Sequence, residues 1–151
     1  MKQLRIIYHS QGRHVEAMAQ AVLRGALQED SIETRMLMAK DAVLQDLLDA
    51  DALIFGTPEN FGYMSGALKD FFDRTFYPAE PYALNLPYAL FVGAGNDGSG
   101  AITAVERITK GYPLRKVAEP VLSVGSPTDE TLQRCEELGL SIAAGTAMGI
   151  F

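Results

Sequence analysis

The sequence predicts an α/β protein in which helices cover both faces of a doubly wound, five-stranded parallel sheet, in three layers with strand order 2-1-3-4-5. Short apolar segments alternate with helical segments along the chain, a pattern typical of parallel strands buried on both faces. Crossovers between parallel strands are right-handed, which winds the helices onto both faces. A length of 151 residues suits this fold better than a six-stranded dinucleotide fold, so we expect one domain, residues 1–151.

The first elements follow strand–helix order. The apolar run LRIIY at 4–8 ends at the polar turn HSQGR, which is typical of a buried strand. Apolar residues then recur at helical spacing from His14, and the helix is expected to end between Gly25 and Gln28. SIETRML at 31–37 alternates as a strand does, and DAVLQDLLDA at 41–50 is amphipathic.

The middle of the chain contributes a strand and a long helix. DALIFGT at 51–57 predicts a third buried strand that ends at Gly56 and Pro58. The segment 65–76 predicts a helix with Ser65 as its N-cap and an apolar side. Residues 77–88 contain three prolines, and we interpret them as an ordered crossing loop.

The remaining elements complete the sheet. YALFVGA at 88–94 predicts the fourth strand, and a helix follows from about Gly100 to Lys110. AEPVLSVG at 118–125 predicts the fifth strand, where Pro120 indicates an edge position or a late start. Residues 126–149 predict the last helix, capped by Ser126 or Thr128.

Composition excludes several classes of function. The net charge is −6 with scattered basic residues, which argues against nucleic-acid binding. No apolar run approaches the roughly 18 residues of a membrane span, and the N-terminal run is too short for a signal peptide, so we expect a cytoplasmic protein. The single cysteine, Cys135, lies in a helical pattern and is expected to be structural, with no disulfide and no metal site.

Three loops are expected to meet at one edge of the sheet. In open parallel sheets, ligands bind beyond the carboxyl ends of the strands, where the strand order reverses. The loops after the first, third and fourth strands converge there. The candidate binding residues are Ser10, Gln11, Gly12, Arg13, His14 and Val15; Thr57, Pro58, Glu59, Asn60, Phe61 and Gly62; and Gly93, Ala94, Gly95, Asn96, Asp97 and Gly98.

The first loop, residues 9–14, opens directly into a helix. Free backbone N–H groups and the helix dipole make such a position an anion site. Ser10 adds a hydroxyl donor, and Arg13 or His14 adds charge. The chain contains no G-K-[ST] string, so a single phosphate monoester fits better than a triphosphate. The alternative is a plain turn with a capping serine.

The second loop, residues 56–66, is long for a connection between a strand and a helix. It offers Thr57, Asn60 and Ser65 for hydrogen bonds, and we expect its Phe61, Tyr63 and Met64 to be exposed. Such a loop suits a flat heteroaromatic ligand. In the alternative, Phe61 and Tyr63 fold back on the core.

The third loop, residues 93–100, spells G-x-G-x-x-G. Its glycines allow the backbone to approach a ligand closely; the alternative is a flexible turn. The spelling matches a dinucleotide-binding turn, but the context does not, because that fingerprint follows a first strand and needs an acidic residue at the end of the next one. The only candidate, Glu119, lies at the start of the last strand, so we do not expect NAD to bind here.

Two segments, 8–26 and 53–76, carry a resemblance to the flavodoxin-like FMN proteins. The match is closest to the tryptophan-repressor-binding-protein family of FMN-dependent NAD(P)H:quinone oxidoreductases, through the string GTPENFGYMSG. The resemblance implies that residues 10–15 hold the FMN phosphate, that 57–62 flank the flavin ring and ribityl chain, and that 93–98 close the other side of the ring. Gly12 and Val15 stand where the first loop of these proteins often has other residues. The family's insertion after the second strand and its late glycine-rich segment, which help build its substrate pocket and tetramer, are missing.

The resemblance implies that FMN takes hydride from NADH or NADPH and reduces a quinone or similar flat acceptor, with no catalytic side chain required. The third loop has no large aromatic residue, so one ring face is expected to be open, which favours an oxidoreductase over a one-electron carrier of the flavodoxin type. The other alternative is a non-enzymatic scaffold. A homodimer or larger homo-oligomer is also compatible, with 77–88 as a contact beside the flavin edge.

Overall fold

A computed structural model describes all 151 residues and confirms the predicted α/β fold with its parallel sheet. The strands are β1 Gln3–Tyr8, β2 Glu33–Met38, β3 Ala52–Asn60, β4 Tyr63–Met64, β5 Leu86–Ala94, β6 Leu114–Lys116 and β7 Val121–Val124. The helices are α1 Arg13–Ala26, α2 Leu44–Asp49, α3 Gly66–Ala79, α4 Ser99–Thr109 and α5 Asp129–Met148.

The sheet has the predicted order, with a divided last strand. Its main path runs β2-β1-β3-β5, and both β6 and β7 pair in parallel with β5, at opposite ends of that strand. Pro120 lies in the gap between them, where the missing backbone N–H of proline breaks no ladder hydrogen bond. The predicted fifth strand, 118–125, begins late, after Pro120, and corresponds to β7. Strand β6 was not predicted, because Arg115 and Lys116 are polar and exposed.

Strand β3 does not end at Gly56 and Pro58 as expected. It continues to Asn60, and Tyr63–Met64 then turns back to pair with it in an antiparallel hairpin. The two turn residues, Phe61 and Gly62, both have positive φ, 53° and 71°, as tight hairpin turns require. The expected long loop is therefore an ordered hairpin, and its Met64 is buried rather than exposed.

The segment 77–88 also differs from the expectation. Helix α3 continues through Pro78 to Ala79, one 3-10 turn follows at Glu80–Tyr82, and β5 begins at Leu86. Little of this segment is loop. Because it ends at the amino end of β5, it lies at the sheet edge opposite the converging loops and not beside them.

Two hydrophobic clusters fill the space on either side of the sheet. Residues of α1 and α5 pack on one face, and residues of α2, α3 and α4 pack on the other. Alternate residues of β1 serve the two clusters, with Ile7 on one face and Ile6 on the other. The three predicted layers are therefore present, and they hold the strand ends at fixed positions. None of the helices combines the length and hydrophobicity that a bilayer crossing requires.

Cys135 lies fully buried in α5, as predicted. Burial raises the pKa of its thiol to about 11, so almost no thiolate forms near neutral pH. We expect the native protein to resist a disulfide reagent such as Ellman's reagent at pH 8 and to react once it is unfolded in denaturant. The release of the chromophore measures this, and rapid stoichiometric labelling of native protein would contradict the assignment.

Candidate functional site

A cleft of about 560 Å³ lies at the carboxyl ends of β1, β3 and β5. It is formed by the three predicted loops and by the end of β7. Its lining residues are Gln11, Gly12, Arg13, His14, Val15, Pro58, Glu59, Asn60, Gly93, Ala94, Gly95 and Gly125.

The N-terminus of α1 faces this cleft without a protein acceptor. Its N-cap, Gly12, has extended backbone and contributes no side-chain hydrogen bond. Each of the other helices has a side-chain acceptor for the N–H groups at its start. Ser65 caps α3 and Thr128 caps α5. The Glu59 carboxylate accepts from the start of α4, and Asp46 accepts from the start of α2. Helix α1 therefore leaves its first N–H groups and its positive dipole end available to an anion in the cleft.

The side chains around this helix start are partly engaged. The Tyr8 hydroxyl donates to Glu16 Oε1 at 2.9 Å. Burial is the main cause, and this hydrogen bond the second, that raises the pKa of Tyr8 to about 12. Ser10 lies outside the cleft lining, with its Oγ 3.4 Å from the same carboxylate. Arg13 and His14 are exposed at the cleft. His9 is half-buried, and burial lowers its pKa and so favours the neutral imidazole.

Thr57 is occupied inside the protein. Its hydroxyl accepts from the Ser65 N–H at 2.9 Å and donates to the Pro58 carbonyl at 2.8 Å, and the residue is fully buried. It fixes the hairpin to the start of α3 and does not line the cleft. The hydroxyl of Thr57, one of the expected binding residues, is therefore engaged within the protein.

Phe61 does not line the cleft. It lies at the hairpin tip and is fully exposed, because the positive φ values of the turn carry it outward. It neither flanks the cleft, as the sequence predicted, nor folds back on the core. Nearer the cleft, Asn60 donates its amide to the Gln11 side chain at 2.6 Å, which joins the first two loops.

Glu59 joins the hairpin to the third loop. Its carboxylate oxygens accept from the Gly98 N–H at 3.2 Å and the Ala101 N–H at 3.1 Å, at the start of α4. Sequence reasoning placed Glu59 beside the ligand but missed this capping role, because the partners lie about 40 positions away and follow no local capping pattern. A carboxylate at a helix N-terminus is favourable both as a hydrogen-bond acceptor and by its charge.

The positions of the third-loop glycines differ in what a larger side chain would contact. A Cβ on Gly93 would lie 2.8 Å from Val15 Cγ2, and one on Gly98 would lie 2.3 Å from a Leu122 methyl. Gly98 also has a φ of +77°. Among the third-loop glycines, only Gly95 would carry a Cβ that meets nothing within 4 Å. Packing therefore also requires glycine at Gly93, which lines the cleft, and at Gly98, which does not.

Ala94 of the third loop lines the cleft, whereas Asn96 and Asp97 lie outside the lining. Asp97 accepts from the N–H and hydroxyl of Ser99, and these hydrogen bonds, with the backbone one dominant, lower its pKa. The predicted residues that do not line the cleft are Ser10, Thr57, Phe61, Gly62, Asn96, Asp97 and Gly98. Gly125 does line it and was missed, although its place after the last strand could have indicated it.

Comparisons with known structures show the same fold. A flavodoxin from the domain Archaea matches with a TM-score of 0.83 and 25% identity, over 96% of this chain and 99% of that one. A flavodoxin, WrbA-like protein from Agrobacterium tumefaciens matches with a TM-score of 0.79 and 21% identity, over 98% and 99%. The Flv1 flavodiiron core from Synechocystis matches with a TM-score of 0.81 and 20% identity, over 98% of this chain but 36% of that one.

A family model matches most of the chain. Residues 8–118 match the model of the NADPH-dependent FMN reductases. The matched region contains the first helix start, the hairpin and the third loop, which together form nearly all of the cleft. FMN is the cofactor that the sequence predicts, and NAD(P)H as electron donor agrees with the family. The chain belongs to the NADPH-dependent FMN reductase family.

Proposed function

We propose that the cleft binds FMN and that the protein is an NAD(P)H-dependent oxidoreductase acting on a quinone or a similar flat acceptor, as in the tryptophan-repressor-binding-protein family. The observation that carries this proposal is the uncapped N-terminus of α1 at the cleft. In this proposal residues 1–151 form one FMN-binding domain.

The residues present fit the cofactor. The N–H groups at the start of α1 would hold the phosphate, and Arg13 adds positive charge. Ser10 lies next to this helix start, and its hydroxyl would turn from Glu16 to donate to the phosphate. The ring would lie beyond the ends of β3 and β5, where Pro58 and Gly93 are neighbours in the sheet, and the hairpin and third-loop residues that follow them would flank it. When bound, FMN would supply the redox chemistry, in which a hydride from NADPH or NADH provides the two electrons that reduce the acceptor.

The chain's own contribution is binding and electrostatics. Gly95 and Asn96 are exposed and their N–H groups have no protein acceptor, so they are available to stabilise negative charge at the ring edge. The Asp97 carboxylate is held by Ser99, which keeps this negative charge in a local turn. No side chain of the cleft needs to act as a general acid or base.

An open ring face supports an oxidoreductase. The third loop has no aromatic side chain and Phe61 is exposed outside the cleft lining, so in this proposal neither covers a flat acceptor stacked on the ring. The second candidate is a flavodoxin-type electron carrier, which the 25% identity to the archaeal flavodoxin favours.

Two measurements on the purified protein test the proposal. We expect flavin absorbance bands after FMN is added and excess removed, and NADPH or NADH oxidation that depends on added benzoquinone. If the protein binds FMN but oxidises NADPH or NADH no faster than free FMN does, the flavodoxin-type electron carrier would be the supported function. Absence of FMN binding would overturn the proposal.

A substitution of Ser10 tests the proposed phosphate site at the start of α1. Ser10→Ala removes one hydroxyl donor beside the α1 N-terminus and is expected to weaken FMN binding by about 1 kcal/mol. Riboflavin lacks the phosphate and should bind both proteins equally, as fluorescence titration would measure. Ser141→Ala, on the exposed face of α5, is the control. Equal affinities of the wild type for riboflavin and FMN would contradict the assignment.

A further inference from the structure

A carboxylate is held in the first turn of α1, at the helix end that faces the cleft. It belongs to Glu16, which does not itself line the cleft. Its two oxygens accept from the Tyr8 hydroxyl at 2.9 and 3.0 Å, and Oε2 also accepts from the Gln20 amide at 3.0 Å. The Ser10 hydroxyl lies 3.4 Å from Oε1. Side chains of β1, the first loop and α1 therefore fix the position of this carboxylate.

All the groups that hold Glu16 are neutral. Glu16 takes part in none of the ion pairs of the structure. Burial, and then the hydrogen bond to Glu16, raise the pKa of Tyr8, so the Tyr8 hydroxyl keeps its proton and donates it. Glu16 therefore presents a negative charge that no ion pair offsets.

This charge lies where the phosphate of FMN is proposed to bind. A carboxylate in the first turn of a helix interacts favourably with the positive end of the helix dipole, and the same positive end attracts a phosphate. A phosphate oxygen that accepts from Ser10 would lie about 2.7 Å from its hydroxyl oxygen. Because that hydroxyl lies 3.4 Å from Glu16, the two negative groups would be no more than about 6 Å apart.

Repulsion at this separation is large enough to change the affinity for a phosphate. For two unit charges about 6 Å apart, Coulomb's law changes a binding constant about threefold in water and about a hundredfold at the effective dielectric constant near a protein surface. The cleft is open to solvent on one side, and Glu16 is only half-buried. We therefore expect an intermediate effect of about tenfold.

We propose that Glu16 is a specificity residue that opposes the FMN phosphate, an inference that rests on the proposed function. It lowers the affinity for FMN but not the affinity for riboflavin, which carries no phosphate. Differences in affinity at one site are mostly differences in dissociation rate. Glu16 therefore keeps the flavin exchangeable with solution and sets how fast FMN leaves the cleft.

Glu16→Gln tests this role, because it removes the charge and retains a side-chain oxygen that can accept from Tyr8. We expect the Kd and the dissociation rate of FMN each to fall about tenfold, whereas the Kd of riboflavin should change less than twofold. The gain for FMN should shrink at about 1 M salt, which screens the repulsion. Fluorescence titration and stopped-flow exchange measure these values. Glu137→Gln, an exposed carboxylate change on α5, is the control and should leave them unchanged.

Glu16→Asp separates repulsion from a change in the shape of the first loop. It shortens the side chain but keeps the charge, so it should bind FMN within about threefold of the wild type. An unchanged Kd of FMN in Glu16→Gln, an equal gain for riboflavin, or an equal gain in Glu16→Asp would overturn the inference. In each of these cases a wild type that binds FMN would leave the proposed function standing, whereas a wild type that binds no FMN would overturn the proposed function itself.

Discussion

Replacing Gly25 with alanine is expected to lower the free energy of unfolding by about 3 kcal/mol, although alanine is the better helix former. A Cβ at this position of α1 would lie 1.9 Å from the Glu136 carbonyl oxygen of α5. Because the obstacle is backbone, no rotamer change relieves the overlap and the two helices must move apart. Gly139 of α5 makes the reciprocal approach, with its Cβ position 2.0 Å from the Val22 carbonyl oxygen.

Urea denaturation of Gly25→Ala and Gly66→Ala measures the effect. Gly66 is the first residue of α3, and a Cβ there would meet nothing within 4 Å, so this control should be neutral or slightly stabilising. Equal stabilities of the two variants would show that α1 and α5 are not in backbone contact at Gly25. Because α1 also presents its N-terminus to the cleft, Gly25→Ala should weaken FMN binding as well.

The regular elements could be predicted because their determinants are local. LRIIY predicts β1 from its apolar run alone, and Ser65 caps α3 through Leu68, three residues away. The β3–β4 hairpin could not be predicted in this way. Pro58 usually ends a strand, and Phe61 is an unusual residue at positive φ, where asparagine or glycine marks the turn in most hairpins.

The site could be predicted to the level of its loops but not of its side chains. The parallel topology alone brings the three loops together at one edge. What each residue does there depends on neighbours that are distant in sequence. The sequence does not distinguish Gly93 from Gly95. Val15 of α1 leaves no room for a Cβ at Gly93, whereas a Cβ at Gly95 would meet nothing within 4 Å. Similarly, the partners of Glu59 are known only once the hairpin is placed against α4.

Glu59→Ala is expected to have the largest effect on the cleft. The change removes the only acceptor for the Gly98 and Ala101 N–H groups, so α4 loses its N-terminal cap, which costs about 1–2 kcal/mol of stability. It also frees the hairpin from the third loop. Because Asn60 and Gly95 line the cleft from those two elements, we expect FMN affinity to fall about tenfold, which corresponds to about 1.4 kcal/mol.

Glu59→Gln separates the role of Glu59 as hydrogen-bond acceptor at the start of α4 from the effect of its negative charge. The glutamine retains one side-chain oxygen and can accept from one of the two N–H groups, so its stability and FMN affinity should lie between those of the wild type and Glu59→Ala. Glu137→Ala, an exposed carboxylate change on α5, is the control. Urea denaturation and fluorescence titration with FMN measure the two effects. If Glu59→Ala lost stability but bound FMN with wild-type affinity, Glu59 would cap α4 without shaping the cleft. That result would show that the contact between the hairpin and the third loop is not needed for FMN binding.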